Sequence, residues 1–186
     1  MASYNRLNVR KSTVARNAAF EILYREYYVR VLGLCRRLLN SNELAEDATQ
    51  EAFMRAYKSF RKYRSEQPFW QWIAAIASNH CIDVLRQQNR ANLVLDDEAA
   101  EVEQLAGAQA PVLSDLISLQ EAESLNRAVG KLSAKYRVPL VLAYFNQCSY
   151  DEIATQLQIS RNHVGVLLLR AKQRLRVELE AAEGGP

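Results

Sequence analysis

Histidine, cysteine, glycine and proline are all scarce in this chain, and each shortage removes a class of protein. The two histidines, His80 and His163, stand far apart and without companions, so no metal site is expected. The three cysteines, Cys35, Cys81 and Cys148, are odd in number and never form a Cys-x-x-Cys pair, which removes both a disulfide framework and a zinc knuckle. Each has apolar neighbours and reads as a small core residue rather than a redox sensor. With only 6 Gly and 4 Pro in 186 residues, and with Ala, Leu, Glu, Arg and Gln abundant, local propensity favours helix almost everywhere and no sheet is expected. No run of about 18 apolar residues occurs and the N-terminus lacks an apolar h-region, so neither a membrane span nor a signal peptide is expected. A reducing cytoplasm suits such a chain. No nucleophile–base pair or phosphate loop is present either, which argues against an enzyme, a small-molecule substrate or a cofactor.

One absence is local. Residues 91–126 hold 8 acids and no base, whereas residues 1–90 carry a net charge of +7 and residues 127–186 one of +4. Two basic modules joined by a purely acidic segment suggest two nucleic-acid-facing domains and a linker that avoids nucleic acid. A solubilising tether is the plainer alternative for that segment. Its first part, residues 96–103, reads as extended or disordered, and residues 113–119 as a short helical turn.

What the chain does contain is clearest between Ser149 and Arg176, which spells two helices and a short turn. Ser149 and Glu152 have the spacing of a reciprocal capping box. Ile153, Ala154 and Leu157 give the first helix an apolar face, Gln158 and Ile159 make the turn, and Ser160 caps a second helix from Arg161. Val164, Leu167, Leu168, Ala171 and Leu175 fall on one side of that second helix, with Asn162, Arg170, Gln173 and Arg176 opposite. A helix-turn-helix with such a face can enter a major groove. The same pattern also fits a solvated helical hairpin.

In the N-terminal half, Phe20, Leu23, Tyr24, Tyr27, Val31, Leu34 and Leu38 recur at helical spacing, which predicts one long amphipathic helix. Asn40, Ser41 and Asn42 end it and cap a second helix over 43–63, acidic early and basic late, with Ala45, Ala48, Phe53, Ala56, Tyr57 and Phe60 on its buried side. Pro68 opens a third helix, whose apolar stripe runs Phe69, Trp72, Ile73, Ile76, Ala77 and Val84 and includes His80. Its polar side presents Gln71, Asn79, Arg86 and Asn89, with Arg90 nearby. Beside a loop with Phe69 and Trp70 this face suits single-stranded DNA, although an ordinary solvated surface would look the same.

The order of motifs then matters. Residues 45–57 (AEDATQEAFMRAY) followed by 69–86 (FWQWIAAIASNHCIDVLR) closely resemble region two of bacterial sigma factors, and 132–142 (LSAKYRVPLVL), running into the helix-turn-helix, resembles their region four. The likeness is to the small two-domain extracytoplasmic-function (ECF) group of the sigma-70 family. It implies an all-α fold with an N-terminal extension (1–17), region two (18–90), a flexible acidic linker (91–122), region four (123–178) and a tail (179–186). It further implies that Asp47, Gln50, Glu51 and Arg55 bind core RNA polymerase at the β′ clamp helices. Arg64, Phe69, Trp70, Asn79, Asp83, Arg86 and Arg90 would hold the melted minus-ten strand. Region four would sit on the β flap and read minus-thirty-five DNA through Arg161, Asn162, His163, Arg170 and Lys172. The linker would thread toward the RNA exit path, and an anti-sigma factor would restrain the protein. Pro139, inside an apparent helix, matches the family's pattern.

The chain departs from that pattern at one place. Gly165, Val166 and Leu167 stand where relatives usually carry Lys, Ser and Arg, and Leu169 replaces another usually polar residue. This keeps two alternatives open: a sigma-like decoy that binds an anti-sigma factor, and a stand-alone helix-turn-helix regulator. The latter gives no reason for the first 90 residues.

Overall fold

A computed structural model of the chain describes the backbone of residues 2–63, 66, 68–88 and 119–183, and side chains there except at 2–13, 119–122 and 182–183. Among these residues there are seven α-helices and no strand: α1 (Ala2–Leu39), α2 (Asn42–Ser59), α3 (Phe69–Gln88), α4 (Leu119–Lys131), α5 (Ala134–Tyr144), α6 (Tyr150–Leu157) and α7 (Arg161–Glu183). The linker expected at 91–122 lies outside the described residues up to 118, as does the helical turn expected at 113–119 apart from Leu119, where α4 begins.

α1, α2 and α3 pack as a three-helix unit. Val31, Leu34, Cys35 and Leu38 of α1, Ala45, Ala48, Ala52, Phe53 and Ala56 of α2, and Ile73, Ala74, Ala77 and Cys81 of α3 are all buried. The alanines matter because a helix that presents Cβ atoms alone lets its neighbours approach closely. Thr49 is tolerated in this core because its hydroxyl donates to the Ala45 carbonyl at 2.6 Å, which satisfies the one polar group it buries. Cys35 and Cys81 are both buried in the core where α1 meets α3, and the hydrogen bond between their thiols, followed by burial, holds the Cys81 thiol well above its ordinary range.

α1 stops where Asn40 takes a left-handed backbone (φ 55°) and returns its N–H to the Arg36 carbonyl at 2.9 Å, the usual way a helix end satisfies a free carbonyl. Ser41 then caps α2, accepting from the Leu44 N–H. The helix expected over 43–63 is shorter than the charge pattern suggested. α2 ends at Ser59, whose hydroxyl back-bonds to the Arg55 and Ala56 carbonyls, and a 3-10 turn follows over Phe60–Lys62. Local side-chain bonding of this kind competes with regular helix. Tyr57, expected to be buried, is partly exposed. Its hydroxyl reaches Asn17 at 2.8 Å, because α1 runs through the segment read as an extension and carries Asn17 alongside α2.

In the second half α5 and α6 pack on α7, and α4 lies against α7 as well. Ile153, Leu157, Val164, Leu167, Leu168 and Ala171 form the helix-turn-helix core with Val141 and Leu142 of α5. Pro139 sits inside α5 and is buried. Without an N–H it makes no helical bond to the carbonyl four residues back, and the buried Val138, Leu140, Val141 and Leu142 around it favour the helix by packing. α7 continues unbroken through 179–183, where a tail was expected.

Candidate functional site

Three surfaces carry the residues singled out above. The first is the solvent side of α2. Its apolar positions are consumed by the core, which leaves Asp47, Gln50 and Arg55 exposed and Glu51 half-buried along one side. Arg55 Nε donates to Glu51 Oε1 at 2.7 Å, and that bond holds the Glu51 carboxyl below its usual range. Met54 belongs to this surface too, 48 % exposed, one heptad on from Asp47 and therefore on the same side of the helix. The sequence reading passed over it, although its spacing from Asp47 and Gln50 was available. Behind Glu51 and Arg55 lies His80 of α3, whose pKa is lowered first by burial and then by the Arg55 charge. Its Nδ1 is buried without a hydrogen-bond partner.

The second surface runs from the start of α3 along its polar side. Asn79 and Asp83 are exposed and Arg86 half-buried, one helical turn apart, and Arg86 lies 3.6 Å from Asp83. Arg64 and Arg90 lie outside the described residues. Phe69 does not fit the role implied for it: it is 4 % exposed and enclosed by Tyr27, Tyr63 and Trp72 at ring separations of 5.2, 5.5 and 5.7 Å. A ring so enclosed has no free face for a base, and it holds the start of α3 onto the aromatic cluster instead. Trp70 is half-buried, with the Arg30 guanidinium 3.8 Å above its ring. Arg30 was not singled out from sequence, since a cation stacked on a ring from another helix leaves no periodic signal.

The third surface is α7, held by the turn before it. The capping box is formed: Ser149 Oγ accepts from Glu152 N–H at 3.3 Å, and Glu152 Oε2 accepts from Ser149 N–H at 2.7 Å. Gln158 ends α6 in a left-handed conformation (φ 59°), and Ser160 Oγ accepts from His163 N–H at 3.2 Å. With Val164, Leu167, Leu168 and Ala171 buried, the helical repeat of about 3.6 residues sets Asn162, Val166, Leu169 and Gln173 on the outward crest. Leu169 is 38 % exposed there. Arg170 is half-buried on one flank. Lys172, on the other, leans back over the Tyr144 ring at 5.4 Å. Arg161 is 3.5 Å from Asp151, and His163 is half-buried. The cationic groups therefore frame an apolar crest. Such a surface can hold phosphates at its edges and meet methyl groups at its centre.

Among the described residues no cluster of three or more His, Cys, Asp or Glu is placed to hold a metal ion. Burial pushes the Cys148 thiol up to about 11, far from a reactive thiolate at neutral pH. No helix of the described residues is long and apolar enough to cross a membrane.

This arrangement, a three-helix unit followed by a helix-turn-helix unit, is that of a two-domain transcription initiation factor. The Sigma-70 region 2 family model matches residues 23–91 and the Sigma-70, region 4 model matches residues 122–175. The chain is 31 % identical over 168 residues to the ECF RNA polymerase sigma factor SigW of Bacillus subtilis, covering 87 % of this chain and 89 % of that one. It is 29 % identical to the RNA polymerase sigma-H factor of Pseudomonas aeruginosa, with 83 % of each chain covered. In fold it is similar to the sigma factor RpoE of Bartonella quintana, solved in complex with the anti-sigma factor NepR, with a TM-score of 0.57, 22 % identity, and 87 % of this chain and 97 % of that chain covered. The chain belongs to the ECF RNA polymerase sigma factors of the sigma-70 family. It is an alternative sigma factor, acting with RNA polymerase on promoter DNA.

Proposed function

We propose that the three surfaces divide the work of a sigma factor. The α2 side bearing Asp47, Gln50, Glu51 and Arg55, with Met54 at its centre, docks on the β′ clamp helices. Trp70, Asn79, Asp83 and Arg86, together with Arg64 and Arg90, hold the melted minus-ten strand. α7 reads the minus-thirty-five duplex through Asn162 and Arg170, with Arg161, His163 and Lys172 at the phosphates, while region 4 rests on the β flap. Residues 18–90 and 123–178 are the two working units, and 91–122 passes between them toward the RNA exit path. The protein works in the cytoplasm without a catalytic centre or cofactor of its own, and an anti-sigma factor holds it inactive. The observation that carries this reading is the α2 surface: a charged, hydrogen-bonding side with one exposed methionine, on a helix whose other side is wholly committed to the core.

Binding to core RNA polymerase, followed by fluorescence anisotropy of the labelled chain, tests it. Asp47→Arg combined with Gln50→Ala should weaken binding by at least tenfold, since a reversed charge at an interface costs more than a lost contact. Unchanged binding would remove the α2 surface from the interface. The apolar crest at Val166 and Leu169 favours one second reading, a decoy whose α7 meets an anti-sigma factor rather than DNA. That reading requires normal anti-sigma binding and no transcript from any promoter in a reconstituted reaction.

A further inference from the structure

Helix α7 carries its unusual residues on the side that an incoming groove would meet. The outward crest is Asn162, Val166, Leu169 and Gln173. Val164, Leu167, Leu168 and Ala171, on the opposite side, fill the core with Ile153 and Leu157. Val166 is half-buried but does not pack against that core, and Leu169 is exposed. The fold therefore leaves two apolar side chains at the centre of the crest that its own packing does not need. Gly165 lies one turn before Leu169, and a Cβ there would meet Tyr150 Cε2 at 3.9 Å, an ordinary contact. Packing does not ask for a glycine at that place, and in a helix interior it costs stability relative to alanine. Its effect is on the crest, where the missing side chain leaves Leu169 uncovered by its neighbour four residues back.

Two features say what covers this pair. The first is charge. From Ser160 to Arg176 there are five bases and no acid. Lys172 and Arg174 lie over the Tyr144 and Tyr136 rings at 5.4 and 4.4 Å, and Arg161 lies 3.5 Å from Asp151, so the bases flank the crest and surround it with a field that favours a polyanion. The second is the length of the apolar stretch. A helix that docks into a protein groove repeats its apolar anchors over several turns. Here Asn162 and Gln173 bracket the pair, and amides at those places suit the N6 and N7 edge of adenine. Between Val166 and Leu169 the helix advances about 4.5 Å, close to the ~3.4 Å between stacked base pairs, so the two side chains can reach neighbouring pairs.

We propose that Val166 and Leu169 read the C5 methyl groups of thymines at two neighbouring pairs of the minus-thirty-five duplex. The proposal rests on the reading of α7 as the helix that enters that duplex, and adds which base the crest selects. Thymine alone among the bases presents a methyl group on its major-groove edge. Set against cytosine, the same side chain would cover an amino group and leave its proton without an acceptor; set against guanine, it would leave N7 and O6 without a donor. Selection is thus two-sided: an apolar contact is gained at thymine, and an unanswered polar group is avoided.

The test uses the full chain with core RNA polymerase and a pool of random-sequence duplex DNA, from which bound duplexes are enriched and footprinted. Within the segment protected by region 4, each thymine is replaced in turn by deoxyuridine, which lacks only the methyl group, and the affinities are compared by gel shift. At two neighbouring positions the loss should be about fourfold each, the worth of one buried methyl group. Leu169→Asn should abolish the difference between thymine and deoxyuridine at one of these positions and Val166→Ser at the other, whereas Arg170→Ala should weaken both duplexes alike. Each variant is compared with itself on two duplexes, so a change in its folded fraction cancels. Equal affinity of the intact chain for the thymine and deoxyuridine duplexes would overturn the methyl reading; a loss of affinity in Arg170→Ala would then leave α7 standing as the DNA-reading helix. If Arg170→Ala, Leu169→Asn and Val166→Ser all leave duplex affinity unchanged, α7 does not enter the groove, the crest belongs to a protein partner, and both readings fall together.

Discussion

Helix α6 is the part of this protein whose stability can be traced to the fewest atoms. It has 8 residues, of which only Ile153 and Leu157 are buried, and an isolated helix of that length is marginal in water. Its start is secured by three bonds between two side chains and the backbone: Ser149 Oγ from Glu152 N–H at 3.3 Å, Glu152 Oε2 from Ser149 N–H at 2.7 Å, and Glu152 Oε2 from the Ser149 hydroxyl at 2.8 Å. Ser149→Ala should therefore cost about 1 kcal/mol, the usual worth of a lost N-cap. Both residues are exposed, which keeps the figure from the upper end of that range. With a urea m-value of about 1–3 kcal/mol/M, the midpoint should fall by roughly 0.3–1 M.

Glu152→Ala removes the two bonds its carboxylate accepts, of which the one from the Ser149 hydroxyl is also lost in Ser149→Ala, so the two losses should not fully add. A double-mutant cycle should return a coupling of about 0.5 kcal/mol or more, and hydrogen exchange should quicken at the Glu152 amide in Ser149→Ala, which removes its acceptor. Because a domain is stable by about 5–15 kcal/mol, losing ~1 leaves nearly every molecule folded and duplex affinity unchanged. Arg170→Ala should behave in the opposite way, losing about 1–3 kcal/mol of duplex affinity if it reads a base and leaving the urea midpoint alone. A coupling of zero would refute the capping argument. A loss of duplex affinity in Ser149→Ala larger than its loss of stability would show that Ser149 meets DNA itself.

Two further perturbations act on backbone and charge. His80 has its pKa lowered from 6.5 by burial first and by Arg55 second. The unfolded chain thus takes up a proton at a pH where the folded one stays neutral, so this contribution is complete above about pH 6.5 and lost as pH falls through it. His80→Gln should flatten the decline of the urea midpoint between about pH 7 and pH 5, and an identical decline in both proteins would exonerate His80. Gln158 holds φ 59°, a conformation that costs a residue with a Cβ roughly 1–2 kcal/mol. Gln158→Gly removes that cost but adds about 0.5–1 kcal/mol of unfolded-chain entropy, for a net gain of about 0–1.5 kcal/mol, while Gln158→Val should be clearly destabilising; calorimetric midpoints that rank Val above Gly would refute the turn geometry.

Much of this architecture was legible because it is local. The helix-turn-helix is written in residues that act within one or two turns of each other: the Ser149–Glu152 box, Ser160 before Arg161, and the spacing of Val164, Leu167, Leu168 and Ala171, all of which are buried as the wheel required. The end of α1 and the start of α2 were legible at Asn40 and Ser41 for the same reason. Of the candidate site, the α2 side and the polar side of α3 could be drawn from periodicity. Which members are free could not. Phe69 lies next to a polar loop in sequence but inside a cluster of four aromatic rings in space, and Lys172 turns toward a ring on α5. Both fates are set by partners that are distant along the chain.

The joining of the two units shows the same limit most sharply. Charge alone divides the chain into two basic halves around an acidic segment, and like-charged halves would be expected to stay apart. Yet the surfaces that meet are not where the net charge is spent. Arg137 and Arg37 cross the boundary to a backbone carbonyl and to an amide with a ring beneath, partners that carry no formal charge and so never enter a charge count. Burial lowers the pKa of both guanidiniums, but an arginine stays protonated at any physiological pH, so each must find acceptors wherever it is enclosed. Opening the units returns Arg37 and Arg137 to water and removes their cross-boundary acceptors together. The docking is thereby a balance between regained hydration and lost hydrogen bonds and apolar contact.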